Sequence, residues 1–315
     1  MPFKNLLTRL TNKQANSPNR FLAIEITTET VKTAVWQVVE EATQVVGLGE
    51  MKEWDGQEES LLTATDESLA RALESIEPEP NQAVLGLPEA WVSGAVISEQ
   101  GKTLLKSLGQ KLELKFVGFV VTSEAIIHEL KRQEGTPPTA VLLTLSETEV
   151  LVQVVHLGKV LGSELVGRSQ DLSTDVEEGL ARMKLNEPMP ARMILTDGHL
   201  DLEGARQTLL SYDWQGRLNF LHIPKIDILD REFSIRAVAH AGGGEAAKAL
   251  GFTMDGQEEG VTSIVTETIS EPVKTQTVPM AAGFEADKDV LAETEEKTQV
   301  EVGGEEAEEM IAEPM

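Results

Sequence analysis

Short runs rich in Val, Ile and Thr alternate with brief polar turns from residue 21 onward. Phe21–Ile26, Val31–Val39 and Thr43–Leu48 read as three consecutive antiparallel strands. The period then changes. Leu61, Leu62, Leu69, Ala72 and Leu73 recur at helical spacing and predict a helix over about Ser60–Ile76. Glu77-Pro78-Glu79-Pro80 ends it, because proline cannot continue a helix and biases its predecessor toward extended backbone. Strands at Ala83–Leu87 and Trp91–Ile97 follow, then a helix at about Lys102–Leu112, a strand at Phe116–Val121 and a helix at Ser123–Gln133.

Gly135-Thr136-Pro137-Pro138 reads as a linker, and the same order then begins again. Ala140–Leu145, Val150–Val155 and Val160–Leu165 are three short strands, and Leu172, Val176, Leu180 and Met183 keep helical spacing. A strand at Met193–Leu195, a helix at about Leu202–Tyr212, a strand at Phe220–Ile223 and a helix at about Ser234–Leu250 complete the series. Both halves thus read three strands, helix, strand, then strand and helix, with an extra strand–helix insertion near residues 90–112 of the first. This twofold order describes an α/β protein of the duplicated, ribonuclease-H-like kind found in the actin and sugar-kinase superfamily. The expected division is a leader at 1–20, a first half at 21–135, a second half at 136–254 and a tail at 255–315.

Charge separates the two ends from this body. Of 53 acidic and 27 basic residues, residues 255–315 hold 17 and 3, a net of −14, which leaves −12 for residues 1–254. The tail has one aromatic residue, Phe284, and too little apolar area to offset chain entropy, so it reads as a disordered acidic segment. Residues 1–20 carry Lys4, Arg9, Lys13 and Arg20 and no acid, with Phe3, Leu6, Leu7 and Leu10 on one helical face. Such a helix can lie on an anionic membrane surface; a leader packed on the body, or a frayed terminus, is the alternative. An acidic protein repels phosphate backbones, which argues against nucleic-acid binding. The absence of cysteine removes thiolate catalysis and zinc–thiolate sites and suits a reducing, cytoplasmic setting. No apolar run approaches the roughly 18 residues of a spanning helix.

Specific residues then sharpen the resemblance. Ala23-Ile24-Glu25-Ile26-Thr27-Thr28-Glu29-Thr30-Val31-Lys32 resembles the first hairpin of PilM- and FtsA-type actin-like ATPases, where Asp-x-Gly precedes a lysine. Lys32 matches; Glu25 stands for the Asp and Thr27 for the Gly. Val84–Val92 resembles the Leu-Pro segment that opens the inserted subdomain of PilM-like proteins. Leu142–Glu149 falls at the second hairpin, with Thr144 and Ser146 replacing Asp and Gly. Met193–Gly204 resembles the adenosine loop, of whose Gly-Gly run only Gly198 remains, and Ala237–Gly242 resembles the closing helix.

The resemblance implies a nucleotide cleft lined by Glu25, Thr27, Thr28, Lys32, Thr144, Ser146 and Gly198, here in remnant form. A β-branched residue resists positive φ, and the methyl groups of Thr27 and Thr28 take space a phosphate oxygen would need. Thr144 supplies no carboxylate for metal-bound waters. No catalytic residue and no resident cofactor are expected, or else ATP with magnesium held weakly. By resemblance, the function is a PilM-like scaffold at the inner face of a bacterial membrane. It would hold the cytoplasmic peptide of a membrane protein in a pilus or secretion-type assembly. An active ATPase of the same fold and a small-molecule kinase relative are the alternatives. His128, His156, His199, His222 and His240 include no pair at ligand spacing on one element, so no metal site is expected. Gly242-Gly243-Gly244 reads as close helix packing, with an anion-binding helix start as the alternative.

Overall fold

The computed structural model describes residues 19–249 apart from residues 41, 95 and 197–199. The basic segment up to residue 18, the acidic tail and Gly198 lie outside the described residues. The first sheet contains β1 (Arg20–Ile26), β2 (Thr30–Val39), β3 (Ala42–Leu48), the short β4 (Lys52–Glu53), β5 (Gln82–Leu87) and β8 (Lys115–Val121). Its strands run in the order β3-β2-β1-β5-β8, with β4 beside β2. The second contains β9 (Ala140–Leu145), β10 (Glu149–His156), β11 (Lys159–Gly167), β12 (Arg192–Thr196) and β13 (Lys225–Ile228), ordered β11-β10-β9-β12-β13. Strand for strand the two orders are the same. In each, the first three strands pair antiparallel and the two that complete the order pair parallel, while the short β4 pairs antiparallel with β2.

Among the described residues six α-helices cover the sheets: α1 (Glu58–Leu73), α2 (Glu99–Lys111), α3 (Thr122–Glu134), α4 (Leu172–Arg182), α5 (Leu202–Ser211) and α6 (Phe233–Ala249). Leu22, Ile24 and Ile26 of β1 pack with Leu61 and Ala72 of α1 and with Leu105 and Leu108 of α2. Val141, Leu143 and Leu145 of β9 pack likewise with Val176 of α4 and Leu209 of α5. Fully burying one such side chain stabilises the fold by about 1.5–3 kcal/mol. Both faces of β1 are covered, which is why its residues are buried without alternation from Leu22 to Ile26.

The opposite faces are covered by exchange. Ile126, Ile127 and Leu130 of α3 follow the first sheet in sequence but pack on Ala140, Leu142, Val155 and Ile194 of the second. Ala237, Val238 and Ala239 of α6 follow the second sheet but pack on Ala23, Ala34, Trp36 and Val84 of the first. Residues Gly242 and Gly243 lie inside α6, and their backbone meets Trp36, Val84 and Thr43. A Cβ on Gly243 would stand 1.9 Å from the Thr43 Oγ1. Close packing therefore explains the glycine run, and no helix begins there.

Where α3 and α6 meet, the buried Glu129 accepts from Arg132 at 2.7 and 2.6 Å and from Gln133 at 2.7 Å, and lies 2.8 Å from His240 Nδ1 on α6. Burial pushes the Glu129 carboxyl up, but the bonds from Arg132, His240 and Gln133 outweigh it and hold the pKa at about 2, against an ordinary 4.5. A carboxylate so depressed adds stability above its unfolded value and loses it as pH falls through the folded one. Urea unfolding followed by circular dichroism is therefore expected to show stability falling between about pH 4.5 and 2. Glu129→Gln should flatten that part of the curve; an unchanged slope would reject the assignment.

Two expected elements differ. The strand read at Trp91–Ile97 is a 3-10 turn at Glu89–Trp91 followed by a two-residue hairpin, β6 (Val92–Ser93) and β7 (Val96–Ile97). Gly94 sits at its tip with φ +61°, a conformation that favours glycine. The strand read at Phe220–Ile223 is instead β13, at Lys225–Ile228. Phe220 turns inward onto Trp214 and makes only an isolated bridge to Met189, while Leu221 and Ile223 are 64% and 66% exposed. Alternation with Lys225 and Asp227 hid the true edge strand, in which Ile226 pairs with Met193.

Candidate functional site: a cleft between two hairpin turns

The turns joining β1 to β2 and β9 to β10 are built alike. Thr27 N donates to Thr30 O at 2.9 Å, and Ser146 N donates to Glu149 O at 2.9 Å. In the first, Thr27 Oγ1 accepts from Thr30 N at 2.8 Å and Glu29 N at 3.2 Å. In the second, Ser146 Oγ accepts from Glu149 N at 2.9 Å. A short hydroxyl side chain thus closes each turn onto its own backbone, and no residue of either turn has positive φ. Those amide groups are the donors that a glycine turn would offer to an oxyanion. Here the protein uses them itself.

The two turns also touch. The Glu29 carboxylate accepts from Glu147 N through both oxygens, at 3.1 and 2.9 Å. A carboxylate of the first hairpin therefore stands where the second hairpin could receive a phosphate oxygen. Trp54 braces the first turn from outside: its backbone N–H donates to Glu29 O at 2.9 Å and its indole Nε1 to Thr27 O at 3.1 Å.

Glu25 and Lys32 face each other across β1 and β2. Both are buried, at 2% and 6% exposure, with Lys32 Nζ 3.8 Å from Glu25 Oε2. Ser234, at the start of α6, links them: Lys32 Nζ donates to Ser234 Oγ at 3.0 Å, which donates to Glu25 Oε2 at 2.7 Å. The lysine charge is therefore neutralised and held by its own lobe.

Between the turns lies a cavity of about 330 Å³. Glu25, Thr27, Thr28, Lys32, Thr144 and Ser146 all line it, together with Glu29, Glu89, Thr122, Ser123, Ser234 and the apolar Ile126, Leu145, Leu151 and Leu165. The topology thus brings six of the seven residues singled out by sequence to one cleft; the seventh, Gly198, lies outside the described residues. Burial pushes the Glu89 carboxyl up, while Ser123 and Gln153 beside it pull it down less strongly. Glu124 is raised as well, first by burial and then by the charge of Glu89. Among the described residues, no group of three or more His, Asp or Glu is placed to hold a metal ion.

Sequence reasoning missed Glu29, Trp54, Glu89, Gln153 and Ser234. Glu89 left a signal, an acid directly after the strand-ending Leu87-Pro88. Ser234 and Gln153 left none, since their roles depend on α6 and β10 arriving from distant sequence. The chemistry of the cleft does not suit a nucleoside triphosphate with magnesium. Its turn amides are capped, its lysine is paired, and a carboxylate bridges the two turns.

No known protein family and no curated protein matches the sequence. Solved structures do. A chain of the PilM-PilN type IV pilus biogenesis complex is similar with a TM-score of 0.50 at 11% identity, covering 75% of this chain and 98% of that one. The ethanolamine utilization protein EutJ from Carboxydothermus hydrogenoformans is similar at a TM-score of 0.47 and 11% identity, covering 72% and 90%. A Bacteroides thetaiotaomicron protein with actin-like ATPase fold and unknown function gives 0.43 and 13%, covering 71% and 96%. The chain has the two-lobed actin-like ATPase fold. No helix among the described residues is long and apolar enough to cross a membrane.

Proposed function

We propose that the chain is a PilM-like, actin-fold adaptor that holds a membrane-protein partner of a bacterial pilus or secretion-type assembly, without efficient ATP hydrolysis. The observation that carries the non-catalytic part is the Glu29 carboxylate bonded to Glu147 N, because it spends on the protein itself a donor that hydrolysis would direct at phosphate. The partner part rests on similarity of fold to a chain solved in a complex named for PilM and PilN. In this reading the protein sits in the cytoplasm at the inner face of the membrane. The segment at residues 90–112 takes the partner's cytoplasmic peptide, and residues 1–20 give peripheral contact with lipid. The halves 21–135 and 136–254 act as the two arms of the scaffold.

The second reading, an ATP-binding ATPase, is favoured by one observation: the cavity between the turns has room and is rich in hydroxyls, from Thr27, Thr28, Thr144 and Ser146. Titration calorimetry separates the two. MgATP is expected to give no measurable heat at micromolar protein, with no phosphate released over hours. Micromolar binding that disappears in Lys32→Ala, together with turnover, would establish the ATPase instead. A pull-down of the tagged chain from bacterial membranes tests the partner; recovery of soluble enzymes alone would end that part of the proposal.

A further inference from the structure

We propose that the cleft is a binding site for an amphipathic cation, a primary ammonium or guanidinium group carried on an apolar stem. The inference rests on the adaptor reading only in taking the cleft to be free of nucleotide.

Charge balance is the first argument. Glu25, Glu89 and Glu149 line the cavity with one lysine, Lys32. That lysine is already matched by Glu25 and tied to Ser234. Neither Glu89 nor Glu149 has a basic partner among the described residues. The site therefore presents net negative charge inside a partly enclosed space, where a phosphate is repelled and a cation is drawn in.

Unsatisfied acceptors are the second. Glu89 Oε1, Gln153 Oε1 and Thr122 Oγ1 are buried with no hydrogen-bond partner. Gln153 is only 2% exposed; it lies on the same face of β10 as the cavity-lining Leu151 and directly across from the cavity-lining Ser163. Ser123 and Gln153 stand beside the Glu89 carboxyl, and the acceptors left open there are the atoms that a donor entering the cavity would meet. Two of the three are acceptors only at these atoms, so the missing group must donate. Ammonium supplies three donors and guanidinium five, and bonds from either to carboxylate are charge-assisted.

The wall supplies the third. Ile126, Leu151 and Leu165 add apolar lining to the cavity, and the exposed Leu165 continues along β11 toward Leu161, which is 42% exposed. A stem of several methylenes can lie there while its head reaches Glu89. At about 330 Å³ the space suits a small molecule or one long side chain. A free alkylamine or the lysine or arginine of a peptide would each bring this chemistry. The chain's own residues 1–18, with Lys4, Arg9 and Lys13 among Phe3, Leu6, Leu7 and Leu10, form one such peptide.

Titration calorimetry on the full chain tests the site, with hexylguanidinium as probe and hexanoate as the charge-reversed control. The probe is expected to bind one to one, at least tenfold more weakly in Glu89→Gln and in Glu149→Gln, and unchanged in the remote Glu187→Gln. Hexanoate should give no heat. The full chain carrying Lys4→Gln, Arg9→Gln and Lys13→Gln guards against self-occupancy. Stronger probe binding in that variant identifies the chain's own leader as occupant; equal binding identifies an external ligand. A synthetic acetylated and amidated Leu-Arg-Leu peptide separates the external sources. Tighter binding than the probe, lost in Glu89→Gln, points to a peptide side chain, and weaker binding points to a free amine. Failure of the probe in both wild type and the triple variant, or binding indifferent to Glu89 and Glu149, overturns the proposal. MgATP binding lost in Lys32→Ala would sink the nucleotide-free reading separately, whatever the probe does.

Discussion

Glu25→Ala is expected to destabilise the protein by about 3–5 kcal/mol, because it leaves the Lys32 ammonium buried without its counter-charge. The pair is nearly inaccessible and is bridged by Ser234. Equilibrium urea denaturation followed by tryptophan fluorescence measures the change. The double variant Glu25→Ala, Lys32→Met should recover most of the loss, since removing both charges of a buried pair is often neutral or stabilising. The resulting coupling is expected at about 2–4 kcal/mol, and simple additivity would mean that the two groups do not meet. The prediction bears on function as well as stability. A lysine that answers chiefly to Glu25 within its own hairpin is a structural residue, so loss of a ligand in Lys32→Ala counts only where circular dichroism shows that variant folded.

Trp36→Ala is expected to cost about 3–5 kcal/mol, the range for deleting a large core aromatic. Trp36 is 1% exposed, stacks on Phe21 with ring centroids 4.7 Å apart, and supplies the surface on which the backbone of α6 rests at Gly242. Its Nε1 is buried without a partner. The loss should therefore fall toward the lower end, because the substitution also removes an unsatisfied donor whose burial costs about 1–3 kcal/mol. Trp36→Phe isolates the two effects: it keeps most of the ring, deletes the donor, and should cost less than about 1.5 kcal/mol. Hydrogen exchange adds a local readout, with amides of α6 deprotected in Trp36→Ala and protected in Trp36→Phe. An alanine variant with unchanged α6 protection would show that the helix does not depend on this contact.

The same residues show how far sequence carries. The strand runs Phe21–Ile26, Val31–Val39 and Ala140–Leu145 emerged within one residue of their observed limits, because continuous Val, Ile and Leu in short runs suit strands covered on both faces. Cross-strand contact between Glu25 and Lys32 was likewise implicit in a tight hairpin, since an antiparallel turn places residues on either side of it opposite each other. Legibility failed where local pattern and burial disagreed. Leu221 and Ile223 are apolar and exposed, while the neighbouring edge strand carries Lys225 and Asp227, so hydropathy pointed to the wrong four residues.

By itself the sequence determined the twofold order of elements, the hairpin positions of Thr27 and Ser146, and the concentration of acid beyond the body. These depend on interactions between residues a few positions apart, which periodicity and turn chemistry encode directly. Only the tertiary structure decided that α3 crosses to the second sheet and α6 to the first, that Ser234 reaches Glu25 over 209 positions, and that Glu29 bonds Glu147 over 118. Such contacts are settled by which faces remain uncovered once each sheet has formed. That sum over the whole chain leaves no mark at any single residue.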